Sequence, residues 1–351
     1  MDTSLNRRTS RVQQILFTSA AFVVVVAGMR AAQGILIPFL LAVFIATISN
    51  PLVSFLQRKR FPRGFSIFII FLLMIAFGFR IISLLGTSLN KFSNNFPKYQ
   101  VLLKEYAEGF FSFLQERGIS VSGQVILEQF DPGSIMSLTS GILAGLGNIL
   151  TNAFLIIIMV VFMLMEATIF EDKIMKIFGG ADKRVKQIAS FTNTVKRYML
   201  IKTAISIATG FIATIWLLIL DVNYPFLWGF LTFLLNYIPT IGSNIAAIPP
   251  LLMALIQYDL FTMFIVGFGY LVINNVLGSF LEPRIMGHGM GLSTLVVFIS
   301  LIFWGWMFGP IGMILCVPIT TIIKIAFANT EDTQWVSAFL AAPVRPYYRK
   351  K

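Results

Sequence analysis

Apolar windows of about 18 to 25 residues recur along the chain, each long enough as a helix to cross a hydrocarbon core of roughly 30 Å. Runs such as AFLIIIMVVFMLM (153–165) are apolar on every face, so they cannot be one side of a half-solvated sheet or of an amphipathic helix. In hydrocarbon the backbone must satisfy its own polar groups, which leaves helices or a closed barrel. Barrel strands would alternate over short segments, and these runs do not. With 57% hydrophobic and 12% charged residues over 351 positions, the composition lies outside the soluble globular classes. The expected fold class is an all-α polytopic membrane protein.

The formal charge of +12 would suggest nucleic acid in a soluble protein. Here the basic residues fill the gaps between apolar segments and report topology instead, so no nucleic-acid partner is expected. Arg7, Arg8 and Arg11 precede a segment expected to be an uncleaved first helix. Segments at about 15–29 and 31–49, parted only by Arg30, form a tight hairpin or one strongly bent pair. The loop QRKRFPRG (57–64) is strongly basic, which puts it and both termini in the cytoplasm. A third segment, 65–86, leads out to 87–140, where four basic residues face five acidic ones and the apolar positions recur at helical spacing. That stretch is expected as amphipathic helices outside the bilayer. Segments at about 142–165 and 199–220 flank a dense basic stretch, including Lys183, Arg184, Lys196 and Arg197, expected as a cytoplasmic loop. Arg80 and Lys202 sit near span ends, where long stems reach the interface. The organisation expected is 1–86 with segments one to three, 87–140 outside, 141–220 with segments four and five, 221–328 as a transport core, and 329–351 as a cytoplasmic tail.

Within the core, LLNYIPTIGSNIAAIPPLL (234–252) is apolar yet divided by Pro239, Gly242, Pro249 and Pro250. Proline removes a backbone donor and glycine lets the chain turn sharply. The arms of 226–257 are about 13 to 15 residues each, short of the roughly 20 a crossing needs. This fits a helical hairpin that enters from outside and returns there; two proline-kinked spans are the alternative. Asn236, Thr240, Ser243 and Asn244 surround the break as candidate solute contacts. A second hairpin at 292–327 breaks at FGPIG, with Gly309, Pro310 and Gly312 at its turn and Pro318 beyond. One span, 260–280, separates the two, so they enter from opposite faces, a layout in which broken helix ends meet near the midplane of transporters. Asn274 and Asn275 lie in that span. At its cytoplasmic end Glu282, Pro283, Arg284 and His288 cluster, so that Glu282, with Arg284 and His288 as its nearest candidate partners, suggests a proton or ion-coupling site or an interfacial salt bridge.

Other chemistry is not indicated. No phosphate loop, zinc-protease or nucleophile-elbow motif occurs, and one histidine with one cysteine, Cys316, cannot make an ordinary metal site. No enzyme activity, cofactor or metal is expected.

At these residues the chain resembles the autoinducer-2 exporter family of bacterial inner-membrane permeases. The features that carry the resemblance are LIPFLLAVFIATISNPLV (36–53) followed by a basic stretch and PRG, NYIPTIGSNIAAIPPLLMAL (236–255), and LEPRIMGHGMGLSTLVVFISLIFWGWMFGPIGMILCVPITTIIK (281–324). The resemblance implies about eight hydrophobic segments, a homo-oligomer and small-solute export. Members differ in cargo, some being linked to autoinducer-2 and others to sodium or lithium exchanged for protons. Three functions therefore stand: a secondary exporter of a small polar solute, coupled to H+ or Na+; a monovalent cation/proton antiporter; and a non-transporting membrane scaffold.

Overall fold

The computed structural model describes residues 3–117, 152–178, 183–239, 241–286, 291–328 and 333–341. Thr240 and His288, and 118–140 of the outside segment, lie outside the described residues. What is described is helical, with a single isolated bridge between Leu292 and Ala341. Among the described residues five helices are long and apolar enough to cross a bilayer: Gln33–Arg58, Arg63–Gly109, Asn193–Ile219, Leu260–Met286 and Thr294–Ala328. Large apolar side chains such as Phe79, Phe154, Phe264 and Phe268 are two-thirds or more exposed, a surface suited to lipid and unsuited to water.

Helix α1 (Thr3–Ala31) and helix α2 (Gln33–Arg58) meet at Ala32. The Ala32 N–H still reaches the Gly28 carbonyl and the Leu36 N–H the Ala32 carbonyl, so the helical ladder runs through the junction. The two form a bent rod and not a hairpin. A turn at Arg60, with φ of 69°, leads into helix α3 (Arg63–Glu116), which is 54 residues long. Here the expectation of a third span ending near 86, followed by separate amphipathic helices, is corrected. Nothing in 87–116 breaks the backbone except Pro97, which the helix accommodates. Leaving the bilayer changes the side chains a helix needs, not its hydrogen bonds. At 1.5 Å per residue α3 is about 80 Å long.

Helix α4 (Ala153–Phe178) packs with α2 and α3 around Leu41, Ala42, Ile70, Ile156 and Val160. The basic stretch expected as a loop is instead mostly the ends of α4 and of helix α5 (Lys183–Ile219). Helix α6 (Pro225–Leu235) and helix α7 (Gly242–Gln257) then fold back on each other. Their base is laced by the Asn223 N–H to Gln257 Oε1 (2.9 Å), Gln257 Nε2 to the Asp221 carbonyl (2.8 Å) and the Tyr258 hydroxyl to the same carbonyl (3.0 Å). The C-terminal half of α3 is fastened to this base: Phe92 packs edge-on to Tyr224 and Trp228, with centroids 5.8 and 5.3 Å away, and the Tyr99 and Tyr224 hydroxyls lie 3.0 Å apart.

From that base a rod runs through helix α8 (Leu260–Ile273), a π-helical stretch (Asn274–Leu281) and the short helix α9 (Glu282–Met286). It ends where the second hairpin begins, so the two hairpin bases lie at opposite ends of the rod. Helix α10 (Thr294–Ala328) reverses at Gly309, whose φ of 64° and ψ of −148° are non-helical. Trp304 Nε1 donates to Thr320 Oγ1 at 3.0 Å. Sixteen residues of continuous helix would hold them about 24 Å apart. Lys324 Nζ closes the base on the Gly291 carbonyl at 2.6 Å, and helix α11 (Gln334–Leu340) follows.

Both reversals use one device. A Cβ at Gly242 would overlap the Leu235 carbonyl oxygen, and a Cβ at Gly312 would overlap the Trp304 carbonyl oxygen. Only glycine lets the returning arm approach the backbone of the descending one so closely.

Candidate transport site

α5 supplies one wall of the site. Lys202, Ser206 and Thr209 recur at helical spacing along α5 and all are buried. Asn236 Nδ2 in the first hairpin donates to Ser206 Oγ at 3.0 Å, and the Tyr237 hydroxyl donates to Thr203 Oγ1 at 2.8 Å. These bonds fix the hairpin tip against α5. The tip is shaped by backbone that cannot continue a helix: Pro239 has no N–H, and the Ile241 N–H turns back to the Pro239 carbonyl at 2.7 Å.

The π-helical stretch supplies the facing wall. Its closing N–H, that of Glu282, reaches five residues back to the Leu277 carbonyl. Pro283 offers no N–H to the Ser279 carbonyl four residues before it, so the ordinary ladder is already interrupted at this junction. Such stretches recur where helices are adapted to function. Asn275 Nδ2 bonds the Leu271 carbonyl at 2.9 Å, and Asn274 Nδ2 approaches Asn244 Oδ1 in the first hairpin at 3.4 Å. Asn274 Oδ1 is buried with no hydrogen-bond partner among the described residues.

At the end of the π-helical stretch, Lys202 Nζ donates to both carboxylate oxygens of Glu282, at 2.8 and 2.9 Å. The lysine side chain is 6% exposed and the carboxylate 18%. Two expectations are corrected here. Glu282 is paired with Lys202 and not with Arg284, whose guanidinium stacks 3.6 Å from the Phe280 ring centroid. Residues two apart on a helix do not face each other. Lys202, in turn, does not snorkel, because α5 begins at Lys183 and so places position 202 well inside the helix.

These walls line an open cavity of about 680 Å³, bordered among others by Tyr198, Lys202, Asn236, Pro239, Ser243, Asn244, Asn274, Asn275, Ser279 and Glu282. Of the residues expected at the site, the structure brings together Asn236, Pro239, Ser243, Asn244, Asn274, Asn275 and Glu282. Gly242 forms the turn behind them. Gly309, Pro310 and Gly312 stand apart: the second hairpin lines the cavity with Val297 and Val317, while Ile311 beside its turn packs against the α2–α4 bundle. Lys202, Ser206 and Tyr198 were missed by the sequence reasoning, although the polar stripe along α5 was there to be read. Among the described residues no group of three His, Cys, Asp or Glu could hold a metal ion.

Five membrane-length helices and two opposed hairpins around a polar cavity define a polytopic membrane protein with an internal polar site. The chain belongs to the AI-2E family of transporters, whose model, described as AI-2E family transporter, matches residues 19–332. It is 40% identical to the AI-2 transport protein TqsA of Escherichia coli (strain K12), over 93% of this chain and 95% of that protein. It is also similar to a Haemophilus influenzae protein (36% identical, 92% and 94% covered) and to YhhT of Escherichia coli (strain K12) (34%, 95% and 96%). The resemblance read from the hairpin and E-P-R segments is thereby shown, and with it a transporter of small molecules in a membrane.

Proposed function

We propose that the chain exports a small, neutral, polar solute across the bacterial inner membrane, using the cavity between α5, the first hairpin and the π-helical stretch as its site. The observation that carries this reading is the electrical balance of the cavity. Among the described lining residues the one carboxylate, Glu282, already holds the ammonium of Lys202, and the other polar side chains are amides and hydroxyls. A monovalent cation binding at Glu282 would have to displace the lysine and leave a buried charge unpaired, which is costly. A hydroxylated solute can instead donate to Asn274 Oδ1 and bond the neighbouring amides with no charge displaced. On this ground the exporter reading is preferred to the cation/proton antiporter. A scaffold would not require such a cavity.

The basic-residue asymmetry supports cytoplasmic termini and a cytoplasmic 57–64 loop. In that orientation the cavity lining reaches Gly291 and Leu292, at the cytoplasmic end of the rod, so a solute leaving the cell would load from that side. Homo-oligomeric assembly and coupling to H+ or Na+ belong to the same reading. Autoinducer-2, for which the 40% identical relative is named, is the first solute to test. Flux into proteoliposomes should be seen for autoinducer-2 or for another neutral hydroxylated solute. Sodium-dependent proton movement with no flux of any such solute would overturn the proposal in favour of the antiporter.

A further inference from the structure

A second, separate groove of about 470 Å³ lies beside the ion pair, lined by Asn193, Lys196, Arg197, Leu200, Ile201 and Ile285. The first five fall at the spacing i, i+3, i+4, i+7, i+8, so they form one stripe of α5. Ile285 closes the groove from α9. Along the stripe the chemistry changes within one turn. Asn193, Lys196 and Arg197 present a donor amide and two cations, and about 6 Å further along the helix Leu200 and Ile201 present only hydrocarbon. Among the described residues neither cation is paired with a carboxylate and no acidic side chain lines the groove.

We propose that this groove binds the phosphate headgroup of an anionic phospholipid, with Lys196 and Arg197 on the phosphate and an acyl chain along Leu200, Ile201 and Ile285. Basic grooves between membrane helices at the positively charged end of a span recognise such headgroups. The graded lining distinguishes a lipid from free phosphate, since a soluble anion has no use for the apolar floor. The inference rests on the reading that α5 spans the bilayer with its basic end at the membrane surface. It gives the groove a regulatory position: Ile201 adjoins Lys202 in sequence and Ile285 shares its short helix with Glu282, so a lipid held here ties together the two elements that carry the ion pair.

The test is thermal stability of the purified full chain in detergent, with additions of phosphatidylglycerol, phosphatidylcholine or inorganic phosphate, together with native mass spectrometry of retained lipid. Phosphatidylglycerol should raise the melting temperature of the wild type, whereas phosphatidylcholine and inorganic phosphate should not. Lys196→Gln with Arg197→Gln should weaken phosphatidylglycerol binding about thirtyfold, the two cations contributing about 1 kcal/mol each. Arg58→Gln with Lys59→Gln, which removes two charges elsewhere, should keep the wild-type response. Equal loss in both double variants would mean general surface charge and overturn the site; an equal response to inorganic phosphate would overturn the lipid. Because neither readout involves flux, absence of transport would leave this result standing, and the reverse holds too.

Discussion

The two hairpins solve one backbone problem in the same way and are put to different use. Each turns where a proline withholds a donor and a glycine lies against a carbonyl of the opposite arm, Gly242 on Leu235 and Gly312 on Trp304. Around the first turn the side chains are Asn236, Ser243 and Asn244, and they face a cavity. Around the second they are Trp304, Phe308 and Ile311, all buried in apolar packing, with the Trp304 and Phe308 rings stacked 5.7 Å apart. A proline-glycine break therefore reports where a chain reverses. Whether the reversal is also a site depends on the polar side chains that accompany it.

The largest effect should be common to both turns. Gly242→Ala and Gly312→Ala each force a Cβ into a carbonyl oxygen, and each should cost about 3 kcal/mol, seen as loss of monodisperse protein on size exclusion. If Gly312→Ala gave wild-type yield, the equivalence of the turns would be broken. Next comes the ion pair between Lys202 and Glu282, which lines the cavity. Lys202→Met leaves a buried carboxylate unpaired and should lower stability by about 3 kcal/mol in a thermal melt. Adding Glu282→Met should bring stability back to within about 1 kcal/mol of wild type, while flux stays lost in both. Recovery of flux in the double variant would show that the pair only holds helices together.

Smaller changes sharpen the contrast. Asn274→Ala, facing the cavity, should reduce flux about tenfold, the worth of one good hydrogen bond, with an unchanged melt. Trp304→Phe at the second hairpin removes the donor to Thr320 and should cost about 1 kcal/mol of stability with flux retained. The smallest effect is at the first hairpin's base, where the Thr262 N–H bonds the Asp259 carboxylate at 2.8 Å and holds its pKa below the ordinary carboxylate value. A carboxyl whose folded-state pKa is depressed stabilises above its unfolded pKa, and that contribution fades as pH falls through the folded value. Asp259→Asn should flatten that acid-side slope slightly in melts run as a pH series.

Much of this was legible in the sequence. The all-helical membrane class followed from apolar runs, both reversals from their prolines and glycines, and most of the cavity's amides from their place beside the first break. What was not legible came from inferring helix ends from hydrophobicity. Hydropathy begins this span only at 199, because the preceding turns of α5 are basic, and so puts Lys202 at a span end although the helix buries it. Glu282 has candidate partners close in sequence, yet a side chain 80 positions away on another helix holds it. Long-range pairing of this kind is set by how helices pack, which local spacing does not encode.

The continuity of α3 has a mechanical consequence. A helix of about 80 Å that is clasped by Tyr224 and Trp228 at Phe92, just past its midpoint, behaves as a stiff lever. For such a rod, a tilt of 5° about its midpoint carries each end through about 3.5 Å, by the length just given. A shift at the hairpin base too small to notice locally is thus geared up at the far tip near Glu116, so a spectroscopic label placed there would register hairpin displacement with gain.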